Sequence, residues 1–417
     1  MAEDVSEIKK DEGLDQGVQS KYHLEVTIDG VEIGARRINL LAIREWVFEK
    51  TPRIELQFDD NGKSFAIFPI EDQSLIKVKI ASLKDNINYV DASFRVQSYS
   101  ITQAGTTVKV YAYAIVGLLE TKEFYSLNQT RSFKNKNSSG VIDSIALECG
   151  LKSDIRKSSK DQMTWYQINM TDSNMIDHLL ERSFITQNDC PLVYCDRHSN
   201  LVFTSLKQEL NKEIKFKTEY FPNTLIDGND EKPDDKVLKL KDFTIRSNGG
   251  IFNSLAGYKT SLEYYDLTDT QTIEINDDSH ELTSHSLKTK DKVGKLTKNL
   301  THGMLTSNMH GNYFKAILSN FYQRFNYFPM FISVSFDMKD QPEYFQKNEN
   351  GINLLDKVDI QLSNAHYEVN PIYSGAYIIT NITHQVNSDG SYLMTLMLFR
   401  NGLNMKSAGS ADETKLS

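Results

Sequence analysis

From Tyr22 onward the chain alternates. Leu24, Val26 and Ile28 fall between polar residues, and Asp29-Gly30 then turns the chain. Ile54, Leu56 and Phe58 repeat the alternation ahead of Asp59-Asp60-Asn61-Gly62, a hairpin signal. Ile76, Val78 and Ile80 repeat it again. FRVQSYSITQAGTTVKVYAYAIVG reads as two strands joined near Gly105. Short strands punctuated by turns predict a β-barrel or sandwich over residues 21–124.

The period then changes. In SSGVIDSIALECGL, Val141, Ile142, Ile145 and Cys149 share one helical face. Ser138 or Ser139 can cap the start, and Gly150 suits the position just past the end. Trp165, Gln167 and Asn169 belong to a short strand. Asp172 or Ser173 can cap a second helix that buries Met175, Ile176, Leu179, Leu180 and Phe184. PLVYCDRHSNLVFTSL reads as two short strands around Arg197-His198-Ser199-Asn200, with His198 in a solvated turn. Residues 125–205 are therefore predicted to form a small mixed α+β domain.

Residues 206–242, which include DGNDEKPDD, read as a linker or exposed loop. The β pattern returns over 243–402. A helix interrupts it at GNYFKAILSNFYQRF, with Phe314, Ile317, Leu318, Phe321 and Phe325 on a face that fits packing on a barrel. Tyr392 to Phe399 is apolar at nearly every position, which predicts cover on both faces. The charged residues 1–20 and the small, polar 403–417 read as a flexible arm and tail. There is also an internal echo. Ile101 and Val386 each lie four residues before a turn glycine, Gly105 and Gly390, inside long hairpins. Two similar barrels split by an insert would produce it.

Composition narrows the class. The chain has 417 residues, 39% hydrophobic, with 21 Phe and 20 Tyr, enough for packed cores. Its net charge of −9 lacks the basic excess of a nucleic-acid binder, so no sequence-specific nucleic-acid recognition is expected. Three cysteines, Cys149, Cys190 and Cys195, show no paired spacing, which fits free thiols assembled in a reducing cytoplasm. No apolar run is long enough for a membrane span, and the acidic N-terminal residues do not form a signal peptide.

Candidate chemistry is sparse. Cys190 and Cys195 flank the strand Pro191 to Tyr194 with His198 close by, but a strand alternates its side chains, which sends the two sulfurs to opposite faces. They read as one buried and one half-buried thiol. Asp227-Gly228-Asn229-Asp230 and Asp234-Asp235 lack the ligand spacing of a calcium loop and read as a solvated acidic loop. His302 and His310 have no metal-site pattern around them. The aromatic stretch YFKAILSNFYQRFNYFPMF reads as core, not as a stacking platform. No nucleophile or phosphate-loop motif is present. The expectation is no catalytic residue, no metal and no cofactor.

Two blocks carry a family resemblance. The first is GVIDSIALECGL, DQMTWYQINMTDSNMIDHLLERSF and CPLVYCDRHSNLVFTSL. The second is INLLDKVDIQL followed by IYSGAYIITNITHQVNSDGSYLMTLMLFRNG. In this order they resemble the baseplate-hub family of contractile tails, which includes phage late-control D-type proteins and the N-terminal part of type VI secretion spikes. The family's closing motif falls on Ser374, Gly375, Tyr377, His384 and Arg400. One departure is Asp356-Lys357, where the family often has Gly. The resemblance implies a mainly β fold of two tube-like β-barrels flanking a small mixed α+β domain. It also implies a non-enzymatic homotrimer in the virion tail baseplate. Such a ring adapts a sixfold tail tube to a threefold central spike and lines a channel for DNA or effector passage. The implied partners are the spike, tail-tube or tube-initiator proteins, and tape-measure and baseplate-wedge proteins. Two other classes compete with this reading: a tail-associated cell-wall hydrolase, needing paired carboxylates or a Cys/His pair in a cleft, and a glycan-binding receptor module, needing exposed aromatics.

Overall fold

The computed structural model describes residues 22–60, 65, 69–82, 88–104, 110–122, 125–186, 189–220, 237–247, 260–266, 271–277, 298–304, 308–317, 320, 330–338, 351–363 and 369–400. The first seven strands are β1 (Tyr22–Ile28), β2 (Val31–Glu32), β3 (Ile38–Trp46), β4 (Arg53–Asp60), β5 (Leu75–Ser82), β6 (Asn88–Ala104) and β7 (Val110–Leu119). The middle of the chain supplies β8 (Gln129–Lys136), β9 (Lys152–Ile155), β10 (Met163–Met170), β11 (Pro191–Cys195) and β12 (Asn200–Ser205), with helices Ser138–Glu148, Asp172–Arg182 and Leu206–Leu210. The remainder supplies β13 (Phe216–Tyr220), β14 (Val237–Lys239), β15 (Asp242–Ser247), β16 (Thr260–Asp266), β17 (Gln271–Asp277), β18 (Lys298–Met304), β19 (Met330–Asp337), β20 (Lys357–Leu362), β21 (Gly375–Asn387) and β22 (Tyr392–Arg400). The protein is mainly β with a mixed α+β insert.

The two ends of the chain repeat one strand order. In the first unit neighbours run β1-β5-β6-β7-β4-β3, and in the second β13-β20-β21-β22-β19-β15. Taking the strands of each unit in that order, four of the five pairings are antiparallel in both. The exception is the first pair, antiparallel for β1 with β5 and parallel for β13 with β20. The long hairpins that carry the sequence echo, β6–β7 and β21–β22, hold the same place in each order. Alternation fills both interiors: Val26, Ile54, Leu56, Ile76 and Phe94 are sealed in the first, and Ile332, Val334, Ile360 and Leu398 in the second. The units are joined edge to edge, because β21 pairs antiparallel with β3, giving one fourteen-stranded sheet.

Local signals resolve unevenly. At Asp29-Gly30 both residues have positive φ, 48° and 85°, and Ile28 pairs with Val31, so this is the expected two-residue hairpin. The Asp59 to Gly62 signal does not join paired strands. β4 lies between β3 and β7, and β5 lies between β1 and β6. The Asp60 carboxylate instead is buried and accepts the Phe65 N–H at 3.1 Å. The helix caps fall one residue earlier than expected. Asn137 accepts from Gly140 N–H at 2.9 Å, and Thr171 accepts from Asn174 N–H at 3.2 Å. The serine and aspartate expected as caps are drawn into buried networks: Ser138 bonds Asp161, and Asp172 bonds Arg131 and Gln167. Gly150, at φ 76°, ends the first helix as expected. Phe184 lies past the end of the second helix and is half-buried.

The span read as a linker contributes structure. Leu206–Leu210 is helical, β13 is hydrogen-bonded to β20, and β14 pairs with β13. DGNDEKPDD and the arm and tail lie outside the described residues. So do Leu318, Phe321 and Phe325 of the predicted helix. The contacts described for that helix are with the insert, where the sequence suggested a barrel. The Tyr313 hydroxyl accepts from Arg182 Nε at 2.7 Å, and Asn308 bonds both backbone groups of Thr164. Asn320 Nδ2 donates to the carbonyls of Leu180 and Glu181, in the last turn of the helix Asp172–Arg182, and of Ser183, just past its end. Asn320→Leu is expected to cost about 1–3 kcal/mol by stranding those carbonyls. Urea unfolding checks this, and an unchanged midpoint would reject the capping role.

Candidate functional site: the joint between the units

Three parts of the chain meet at one side chain. Arg197 sits in the turn between β11 and β12 and is buried. Its Nη1 donates to Glu45 Oε1 at 2.8 Å, and its backbone N–H donates to Glu45 Oε2 at 2.7 Å. Its Nε donates to the Tyr89 carbonyl at 3.1 Å, and its Nη2 to the Ile352 carbonyl at 3.2 Å. Glu45 is on β3 and Tyr89 on β6, while Ile352 precedes β20. One guanidinium therefore ties the insert to both barrel units. Burial works against the Arg197 charge, and the Glu45 carboxylate outweighs it, so the net direction of its pKa is up.

The same region receives the tip of the β21–β22 hairpin. Tyr22 donates its hydroxyl hydrogen to the Gly390 carbonyl at 2.9 Å, and its ring lies 5.2 Å from that of Tyr392. His384 Nδ1 and the Tyr392 hydroxyl are 2.7 Å apart. Burial holds the His384 pKa well below the usual histidine range, and the Arg197 charge adds to that, so the ring is neutral. The joint is thus an apolar and hydrogen-bonded seam with one buried ion pair.

The family-motif residues other than His384 cluster at the other end of the hairpin. Arg400 Nη1 donates to the Ser374 carbonyl at 3.0 Å, its Nη2 donates to the Ile372 carbonyl, and its guanidinium lies 4.8 Å from the Tyr377 ring centroid. The Tyr377 hydroxyl donates to Tyr373 O at 2.6 Å, and Ser374 Oγ accepts from Leu362 N–H at 3.0 Å. Gly375 has φ 129°, and a Cβ there would meet Arg400 Nη1 at 3.3 Å. These residues latch the loop before β21 onto the end of β22. The turn at Asp356-Lys357 forms without glycine: Leu355 takes a φ of 65°, and Asp356 Oδ2 accepts from Asn353 N–H at 2.7 Å and from Lys215 Nζ at 2.8 Å.

The chemical candidates do not converge. Cys195, at the end of β11, which is covered on both faces, and Cys190, just before that strand, are both fully buried, so neither is the half-buried thiol expected. Burial pushes the Cys195 thiol pKa well up, away from a nucleophile. His198 is exposed in its turn. His310 is buried beside Trp165 and Tyr313, with Nε2 at 3.1 Å from the Arg182 carbonyl. His302 lies on β18, and the acidic loop Asp227 to Asp235 is outside the described residues. Among the described residues no group of three His, Cys, Asp or Glu could hold a metal ion, and no helix is long and apolar enough to cross a membrane.

Glu45 and Arg197 were not visible as a pair in the sequence. A signal existed for one of them: Glu45 occupies the same phase as Leu41 and Ile43, where an apolar residue is due.

Two units of one repeated strand order, joined edge to edge in one sheet beside a mixed insert, form a fold similar to that of solved phage tail proteins. The 43 kDa tail protein of prophage MuSo2 from Shewanella oneidensis aligns over 92% of this chain and 100% of its own, at 11% identity and a TM-score of 0.57. A tail protein from Neisseria meningitidis MC58 aligns over 91% of this chain and 96% of its own, at 8% identity and a TM-score of 0.56. No protein-family model and no curated protein matches the sequence.

Proposed function

We propose that this protein is the structural hub of a contractile-tail baseplate, with no catalytic role. The repeated strand order carries the proposal. A chain with two like units presents six of them when three copies close a ring, and such a ring meets a sixfold tube on one face and a threefold spike on the other. The tail-protein fold and the buried, non-converging cysteines support the same reading. The partners it calls for are a trimeric central spike and the tail-tube or tube-initiator proteins. Tape-measure and baseplate-wedge proteins are the next neighbours. Its place is the virion tail baseplate, assembled in the host cytoplasm, around a channel that passes DNA or effectors.

Mass measurement and electron microscopy test this. A ring of three copies with a central channel is expected, alone or after mixing with the spike. A monomer under both conditions would overturn the proposal. The purified protein is also expected to leave peptidoglycan intact. Clearing that disappears on Cys195→Ala or His198→Ala would put the hydrolase reading in its place.

A further inference from the structure

A cleft of about 1550 Å³ separates the first unit from the insert. That is larger than an ordinary small-molecule pocket, roughly 300–1,000 Å³, and suits a stretch of chain. One wall is the outer face of β6, with Asp91, Ser93 and Arg95, together with the end of β7. The facing wall is the insert, with Leu127, Lys152 and His198.

The charges on these walls are unevenly matched. Arg95 pairs with Glu120 at 2.5 Å, and Arg197 with Glu45 at 2.8 Å. Lys122 and Lys152 are exposed, and neither forms an ion pair among the described residues. Lys122 is held at the cleft by close packing: its stem crosses Gly150, where a Cβ would meet Lys122 Cε at 3.3 Å. Leu127 is 51% exposed. Two unmatched ammonium groups beside an uncovered leucine fit an acidic segment that also carries aliphatic residues.

The start of β1 opens onto the same face. Glu25 opposes Lys79 of β5, which opposes Asp91 of β6, and Thr27 opposes Lys77, which opposes Ser93. Residues directly opposite share a face, so the exposed His23 and Glu25 lie on the side that carries Asp91 and Ser93 into the cleft. Two strand spacings, roughly 10 Å, separate β1 from β6. Tyr22, the first residue of β1, sits at the end of the sheet where Arg197 reaches Tyr89. The Tyr22 and Tyr89 rings lie 5.2 and 5.9 Å from that of Tyr392.

The residues ahead of β1 have the composition that the cleft fits. Residues 1–20 hold Glu3, Asp4, Glu7, Asp11, Glu12 and Asp15 against Lys9 and Lys10, with Leu14 and Val18 among the aliphatics. From Tyr22 back to Asp15 is about 23 Å of extended chain, and back to Asp11 about 36 Å. Both lengths cross the two strands and continue into the cleft. We propose that residues 11–20 seat in the cleft between this chain's own first unit and insert. Asp11, Glu12 and Asp15 then face Lys122 and Lys152, and Leu14 covers Leu127. So seated, the segment ties the insert to the first unit at a second place, beside the pin made by Arg197 and Glu45. This contact does not rest on the hub reading.

Carbodiimide coupling of the full chain, which joins a carboxylate to an amine in contact with it, tests the seat. Mass spectrometry should find links from Asp11, Glu12 or Asp15 to Lys122 or Lys152. With isotope-labelled and unlabelled protein mixed, those links should stay within one chain. Thermolysin cleavage ahead of Leu14 gives a second readout. Lys122→Glu with Lys152→Glu should stay folded, since both sites are exposed, and should speed that cleavage about tenfold at low salt. Adding Asp11→Lys, Glu12→Lys and Asp15→Lys to that variant should restore both the protection and the links. No link, with cleavage at one rate in the wild type and the cleft variant, would overturn the proposal and leave the hub reading standing. Links that form solely between labelled and unlabelled chains would assign the cleft to a second copy and overturn it. Lys122 and Lys152 that resist acetylation only when other tail proteins are added, with no link, would assign it to a partner and overturn it as well.

Discussion

Glu45→Ala is expected to destabilise the protein by about 3–5 kcal/mol, among the largest effects of any single side-chain truncation in this chain. Glu45 is 0% exposed, and both its carboxylate oxygens bind Arg197. Removing it leaves a buried guanidinium facing the vacated space, with the Tyr89 and Ile352 carbonyls and Asn353 Oδ1 as its remaining partners. Much of the loss comes from the stranded charge and not from the lost contact, so the double variant Glu45→Leu with Arg197→Met should recover much of it. Chemical unfolding of the wild type, both single variants and the double variant gives the coupling energy. Additive effects would show that the pair does not act as a pin, and that the insert is held to the barrel units by packing alone.

Ile378→Asp is expected to abolish folding. Ile378 is 1% exposed and opposes Lys357 of β20 and Phe399 of β22. Its neighbours Tyr377 and Ile379, on the other face of β21, are 1% and 0% exposed. The strand is therefore covered on both faces within one chain, before any second copy binds. A carboxyl group at this position has no donor waiting for it. The lost apolar burial and the unmet polar group together cost about 4–7 kcal/mol, comparable to the whole stability of a domain. Ile378→Val, which keeps the face apolar, should cost about 0.5–1.5 kcal/mol. Circular dichroism and solubility of the two variants decide. An aspartate variant that is folded, soluble and fully assembled would show that β21 is not at the centre of the second unit.

Element types were legible because their causes are local. Period-two alternation at Leu24-Val26-Ile28 or Ile76-Val78-Ile80 needs no knowledge of a partner, and the helical face of Val141, Ile142 and Ile145 follows from spacing within one segment. The echo between Ile101 and Val386 marked two like hairpins, and they hold like places in the two sheets. The order of the blocks carried the resemblance to tail hubs.

Tertiary structure alone decided which edges meet. β3 and β21 are more than three hundred residues apart, and a strand edge offers the same backbone donors and acceptors to any partner, so no residue pattern names the one it takes. The same holds for the Asp59 to Gly62 turn, whose local chemistry favours a hairpin while β7 takes the edge of β4. It holds for the predicted helix near residue 313, whose apolar face suits a barrel or an insert equally; Asn320 finds the open carbonyls of a helix about 140 residues away. Arg197 is the clearest case. In sequence it is a charged residue in a polar turn, and such turns face water. Its burial is set by the Glu45 carboxylate, the Tyr89 and Ile352 carbonyls and the Asn353 side chain, none of them near it in the chain, and that convergence exists only once the chain has folded.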